Sequence, residues 1–109
     1  MTELREPTWF VLTALAGHDR LHGYGITQEV QKLSDGRLQL KAGTLYATLD
    51  RLSRDGLITA VGDDVVEGRF RRYYSISPNG RQILAREAAE RQRVSGEALR
   101  RLSFGGGVA

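Results

Sequence analysis

Arg69, Arg71 and Arg72 form a tight positive cluster in this chain. A guanidinium can grip a phosphate through two parallel hydrogen bonds, which an ammonium cannot do, so the cluster suits a nucleic-acid backbone. The plainer reading is a solvated surface with Arg72 paired to Glu67 or to an aspartate nearby. Asp63, Asp64 and Glu67 lie just upstream and would repel phosphate, so only part of this segment can meet DNA. Those carboxylates could also hold a cation or act as an acid–base pair, but a solvated turn explains them more simply. His18 and His22 stand four apart, a spacing that on a helix can place two metal ligands on one face. Gly17, Gly23 and Gly25 argue against a helix there, and Asp19 is the only further donor close by. The serines have no neighbouring histidine base, and no phosphate loop or metalloprotease motif occurs. The chemistry on offer is therefore binding rather than catalysis, with no cofactor or metal expected.

The segments that must position these groups read clearly. Pro7 can open a helix, where its missing N–H costs nothing. The stretch Trp9 to Ala16 is apolar on almost every side and ends at Gly17, so it needs cover all round. A second subunit is expected to supply part of that cover, with Trp9 and Phe10 at a dimer interface or a ligand pocket. A core closed by the last helix of the same chain is the competing reading. After a loop, Ile26, Val30 and Leu33 recur at helical spacing, and Asp35-Gly36 marks a stop. Leu38-Gln39-Leu40 alternates briefly and is expected to be a short strand. Leu45, Leu49 and Leu52 then repeat the helical stripe from Ala42 to about Arg54, and Gly56 closes it.

Leu57 to Val61 and Phe70 to Ser77 are β-prone, joined by a turn running from Gly62-Asp63-Asp64 to Gly68. Phe70, Tyr74 and Ile76 share one parity while Arg71, Tyr73 and Ser75 share the other, as in a hairpin with one buried and one wet face. Ser77-Pro78 reads as a helix cap followed by a helix-opening proline. The charged helix that follows extends to about Leu102. Its weak stripe of Leu84, Ala88, Ala98 and Leu102 passes through Arg91 and Ser95, and suits dimer contact along part of its length.

Composition sets the outer limits. The 109 residues make one domain with a modest core, for which oligomerisation is a natural way to bury more surface. The chain has no cysteine, which excludes disulfides and thiolate metal sites. No signal peptide is evident and the longest apolar stretch is too short for a bilayer, so a cytoplasmic protein without membrane contact is expected. The formal charge is only +3, but fourteen of the sixteen cations are arginine.

Helix, helix, short strand, helix, hairpin, long helix is the order of a winged helix-turn-helix. The expected fold is mainly α with a small β-hairpin. Residues 1–77 would form the DNA-binding domain, 78–102 a dimerisation helix and 103–109 a flexible tail. In such a motif the start of the second helix meets base edges in the major groove. Here Ala42 and Gly43 are small, Lys41 adds charge, and free helix-terminal N–H groups attract phosphate. Thr44, Thr48 and Arg51 lie at helical spacing and are the expected groove-facing row. Tyr24 is as well suited to the core as to the DNA backbone.

Several motifs in order resemble the PadR regulators. The opening is Trp9 to Ala16 with His22-Gly23-Tyr24-Gly25-Ile26. Ala42-Gly43-Thr44-Leu45-Tyr46 with Leu49-Asp50-Arg51-Leu52 is similar to their recognition helix. Gly56-Leu57-Ile58, Gly68-Arg69, Arg71-Arg72-Tyr73-Tyr74-Ser75-Ile76-Ser77 and Gly80 resemble their wing and following helix. The resemblance implies a homodimer, held by the last helix with help from the first, that binds double-stranded operator DNA, commonly as a repressor. It also implies that Tyr46 and the basic wing residues face DNA. Some members release DNA on binding phenolic acids or planar aromatics, so a small aromatic effector is an expectation. The single C-terminal helix is that of the short form. It carries no tryptophan, which leaves Trp9 and Phe10 as the aromatic lining of any such site. The alternative is a winged-helix module that docks a partner protein and does not read DNA.

Overall fold

The structure, a computed structural model, describes residues 4–105. Pro7 lies in the first turn of α1 (Glu6–Ala16), whose Val11, Leu12 and Leu15 are wholly buried. Most of the cover that this apolar helix needs comes from its own chain, because these residues share one core with α2, α3 and the hairpin. Trp9 and Phe10 remain only half-buried.

After Gly17 the chain forms a two-residue strand, β1 (Leu21–His22), and enters α2 (Gly23–Leu33). Asp35 and Gly36 both take positive φ, and the Gly36 amide donates back to the Gln31 carbonyl, which ends α2. Leu38 to Leu40 is not a strand. Its backbone pairs with no sheet edge, and the segment serves as a connection that drops Leu40 into the core. Brief alternation marks a strand only where another strand is available to pair. The third strand is instead β1, which lies in the segment expected to be a loop.

α3 (Ala42–Arg54) buries Leu45, Leu49 and Leu52 and ends at Gly56, whose φ is +74°. β2 (Ile58–Val66) and β3 (Arg69–Ile76) form an antiparallel hairpin, and β1 pairs with the other edge of β3, giving the order β1-β3-β2. β2 is longer than expected. Gly62 belongs to a bulge opposite Tyr73, not to the turn, and pairing continues through Asp63 and Asp64 to Val66. The turn is Glu67-Gly68 alone, both at positive φ, as a tight hairpin demands.

Ser77 caps α4 (Pro78–Gly105): its hydroxyl accepts the Gly80 amide at 2.9 Å and donates to the Gly56 carbonyl at 2.7 Å. Ile83 and Leu84 pack on the core. α4 then projects past the body and makes the chain elongated, 62 × 28 × 22 Å. It runs through Ser103 and Phe104 to Gly105, beyond the expected end at Leu102, and the rest of the expected tail lies outside the described residues. No helix among the described residues is long and apolar enough to cross a membrane.

Candidate nucleic-acid interface

A turn of 100° per residue decides which side of α3 meets a ligand. With Leu45, Leu49, Leu52 and Thr48 buried, the outermost line is Gly43, Ala47, Asp50 and Arg54. One flank leans to the hairpin through Tyr46; the other leans to α1, where Arg51 Nη2 donates to Thr8 Oγ1 at 3.0 Å. Lys41, Gly43 and Thr44 are exposed at the start of the helix, where the backbone N–H groups are free of intrahelical partners.

The hairpin stands beside this surface. Its face bearing Ile76 and Tyr74 is buried at the root. Farther out, the same face carries the pairs Asp63–Arg72 and Val65–Phe70 into solvent. Phe70 is 63% exposed, so the alternation that buries Tyr74 and Ile76 fails at the tip, because the strands outrun the core beneath them. Arg72 Nε meets Asp63 Oδ1 at 3.1 Å, and that carboxylate raises the Arg72 pKa. At the root of the other face, the Arg20 guanidinium lies 4.0 Å from the centre of the Tyr73 ring, and His22 packs edge-on against it.

Between the hairpin, the start of α2 and α3 lies a cleft of about 750 Å³. Tyr24, Tyr46 and Asp50 line one side, with Arg69, Phe70, Arg71 and Arg72 on the other and His22 and Tyr74 at its walls. Tyr46 is 53% exposed, and its hydroxyl fills the space over Gly23, where a Cβ would come within 2.7 Å. His22 Nε2 is buried without a hydrogen-bond partner. Burial, and secondarily the Arg71 charge, hold the His22 pKa below the ordinary histidine value. A neutral imidazole, phenol hydroxyls and three guanidiniums around an open cleft can hold an anionic backbone; they include no nucleophile paired with a base.

Sequence comparison agrees with this geometry. Residues 11–86 match the transcriptional regulator PadR-like family. The chain belongs to that family. A transcriptional regulator of Mycobacterium tuberculosis is 38% identical over 77% of this chain and 75% of its own length. A PadR family regulator of Clostridium difficile has the same fold, with a TM-score of 0.72, 23% identity, and coverage of 87% of this chain and 96% of that one. Bacillus subtilis PadR, solved in complex with operator DNA, superposes with a TM-score of 0.64 at 23% identity, over 74% of this chain and 46% of that one. The PadR-like chain is thus a transcriptional regulator and not an enzyme, with a winged helix-turn-helix and a long C-terminal helix.

Within this PadR-like fold, Tyr46, Arg69, Arg71 and Arg72 line the cleft, and Lys41, Gly43 and Thr44 reach solvent at the start of α3. Thr48 does not. It is 3% exposed and belongs to the core, and Arg51 is tied to α1. The expected row of Thr44, Thr48 and Arg51 follows the flank of α3, roughly 70° to 130° from its outer line. Asp50 and Arg54 were missed, although measuring the full half-turn from the leucine stripe finds them. Tyr24, 65% exposed, lines the cleft and is no core residue. The two histidines part company: His18 pairs with Glu29 at 3.2 Å while His22 stays at the hairpin root.

The residues assigned to an interface or pocket are also divided. Leu84 packs on the core, whereas Ala88, Ala98 and Leu102 are exposed, Leu102 at 72%. Trp9 is joined to α4 through Arg91, whose guanidinium lies 4.0 Å from its ring centre. Phe10 is faced by Arg37 at 5.8 Å. Neither aromatic ring lines the cleft beside the hairpin.

Proposed function

We propose that this PadR-like chain is a homodimeric repressor that reads a pseudo-palindromic operator with α3 and clamps the flanking backbone with its wing. One observation carries the reading: Tyr46 and Asp50 of α3 and the three wing arginines border one open cleft. In a helix-turn-helix dimer two such helices enter major grooves about 34 Å apart. Gly43 and Ala47 allow close approach, Arg54 and Asp50 offer base-edge partners, and Lys41, Tyr24, Tyr46 and the wing arginines supply backbone contacts. Arg72 would exchange Asp63 for phosphate; an exposed pair of this kind is worth little, so the exchange is cheap.

The far end of α4 supports the dimer. Val94, Leu99, Leu102 and Phe104 are all exposed large apolar groups on one helix, with Ala98 among them. A second copy of α4 is the partner that family membership favours. A small aromatic effector would act through Trp9 and Phe10 only by displacing Arg91 or Arg37 from their rings. That makes a change in the single tryptophan's fluorescence on ligand addition the direct check.

Titration of duplex DNA over a range of salt tests the main reading. The expected result is binding that weakens steeply with salt, with a shallower slope and lower affinity for the Arg71→Ala, Arg72→Ala double variant on every sequence. Unchanged binding by a folded double variant would remove the wing from the interface. Absence of duplex binding by the wild type at low salt would favour the protein-docking alternative.

A further inference from the structure

α4 touches the body through only its first half. Ile83 and Leu84 pack on the core, Glu87 and Arg91 are half-buried, and from Gln92 onward every described side chain is exposed except that of Glu97, which binds Arg100 and Arg101. Among the described residues, Arg91 is the last on α4 with a hydrogen bond or ring contact to the winged helix.

It holds in three directions at once. The guanidinium stacks on Trp9 at 4.0 Å, Nη2 donates to the Leu4 carbonyl at 3.0 Å, and Nε donates to Glu87 Oε2 at 3.2 Å. The first two contacts bind α4 to the segment that begins α1; the third, from one turn earlier on α4, fixes the arginine itself. The Glu87 side chain is 15% exposed, so this bond is partly shielded from solvent. A leucine at this position would continue the apolar stripe and pack well. What a planar guanidinium adds is direction, through a fixed fork of donors and a flat face for the indole.

We propose that Arg91 is a positioning residue that sets the angle at which α4 leaves the winged helix, and hence the half-site spacing that a dimer of this chain accepts. The inference rests on the homodimeric, operator-reading function proposed above. Its scale follows from geometry. From Arg91 to Leu102 the helix extends about 16 Å, so a tilt of about 10° at Arg91 moves the far end by roughly 3 Å. Successive base pairs are about 3.4 Å apart, so this is close to one base-pair step in the separation of two reading heads.

The test uses wild type, Arg91→Ala and Arg91→Lys in a duplex library whose half-sites are separated by variable spacers. Dimerisation is followed in parallel by sedimentation. Wild type is expected to enrich one spacing. Arg91→Ala should stay dimeric and enrich the same half-site across neighbouring spacings, with about fivefold weaker binding at the preferred one. Arg91→Lys should resemble Arg91→Ala, since it keeps the charge and loses the fork. A folded, dimeric Arg91→Ala with the wild-type spacing profile would overturn the proposal.

A second measurement needs no DNA, so it separates failure of this inference from failure of the operator reading. The chain has no cysteine, so spin labels can be placed at Gln28→Cys on α2 and Arg100→Cys on α4. Labelled chains are diluted into unlabelled ones to isolate the distance within one chain. The distance distribution should broaden in Arg91→Ala; an unchanged width would overturn the positioning role whatever the DNA result.

Discussion

Gly23 and Gly80 are both close approaches, but what they approach differs. A Cβ at Gly80 would come within 2.1 Å of the Leu57 carbonyl oxygen, which the backbone fixes because it also accepts the Ser77 amide. A Cβ at Gly23 would meet the Tyr46 hydroxyl, the free end of a side chain that can swing away. Gly80→Ala should therefore cost about 3 kcal/mol, roughly 10 °C or more in melting temperature for a domain of this size. Gly23→Ala should cost less than about 1 kcal/mol yet lower DNA affinity by moving Tyr46 out of place. Thermal denaturation and a DNA titration of both variants check the contrast. His22 gives a pH dependence of definite sign. Its folded pKa lies below the ordinary value, so the unfolded chain takes up the proton first, and stability falls as pH drops through the ordinary histidine range. Above that range the contribution is constant. His22→Gln should flatten the melting temperature against pH between about 5 and 7, and an unaltered slope would assign the effect elsewhere.

α3 shows both what a pattern of residues reveals and where it stops. Its boundaries and buried leucines are legible, because helical spacing and a closing glycine are local signals. Its outward line is legible too, but only by measuring the half-turn from Leu45, Leu49 and Leu52. Polar residues at regular spacing include Thr48, whose side chain is buried. Accordingly, Arg54→Ala should alter base preference at its position and cost about tenfold in operator affinity, roughly 1–2 kcal/mol. Thr48→Val should leave base preference unchanged. A selection experiment on each variant reads both results. The hairpin was less legible for a different reason. Gly62 and Gly68 look alike in sequence, yet one makes a bulge and the other a turn; only the register of β2 against β3 separates them. Phe70 has the right parity for burial, but parity does not say where the core ends. Leu38 to Leu40 and Leu21–His22 exchanged their expected roles because a strand this short exists only through its partner.

For the whole molecule, the order of elements identified the winged helix, since each segment carried its own start or stop. How α1 is covered was not legible: an all-round apolar helix fits a subunit interface and a single-chain core equally well, and here the core takes most of it. The exposed end of α4 is the part that the isolated chain leaves uncovered. Replacing Leu99 and Leu102 together by glutamate should convert the proposed dimer to a monomer, measured by sedimentation, while leaving the melting temperature of the winged helix nearly unchanged. Loss of the dimer would also remove most of the operator affinity, since one half-site offers half the contacts. The small formal charge of +3 means that attraction to DNA must come from local placement of the arginines rather than from a uniform positive field.

Selection of bound duplexes from a random library tests the central claim most directly. It should be run with wild type and with the Arg71→Ala, Arg72→Ala double variant. The expected result is one enriched inverted repeat, with half-sites about one helical turn apart, which the double variant binds far more weakly. A folded, dimeric wild type that enriches no sequence would contradict it.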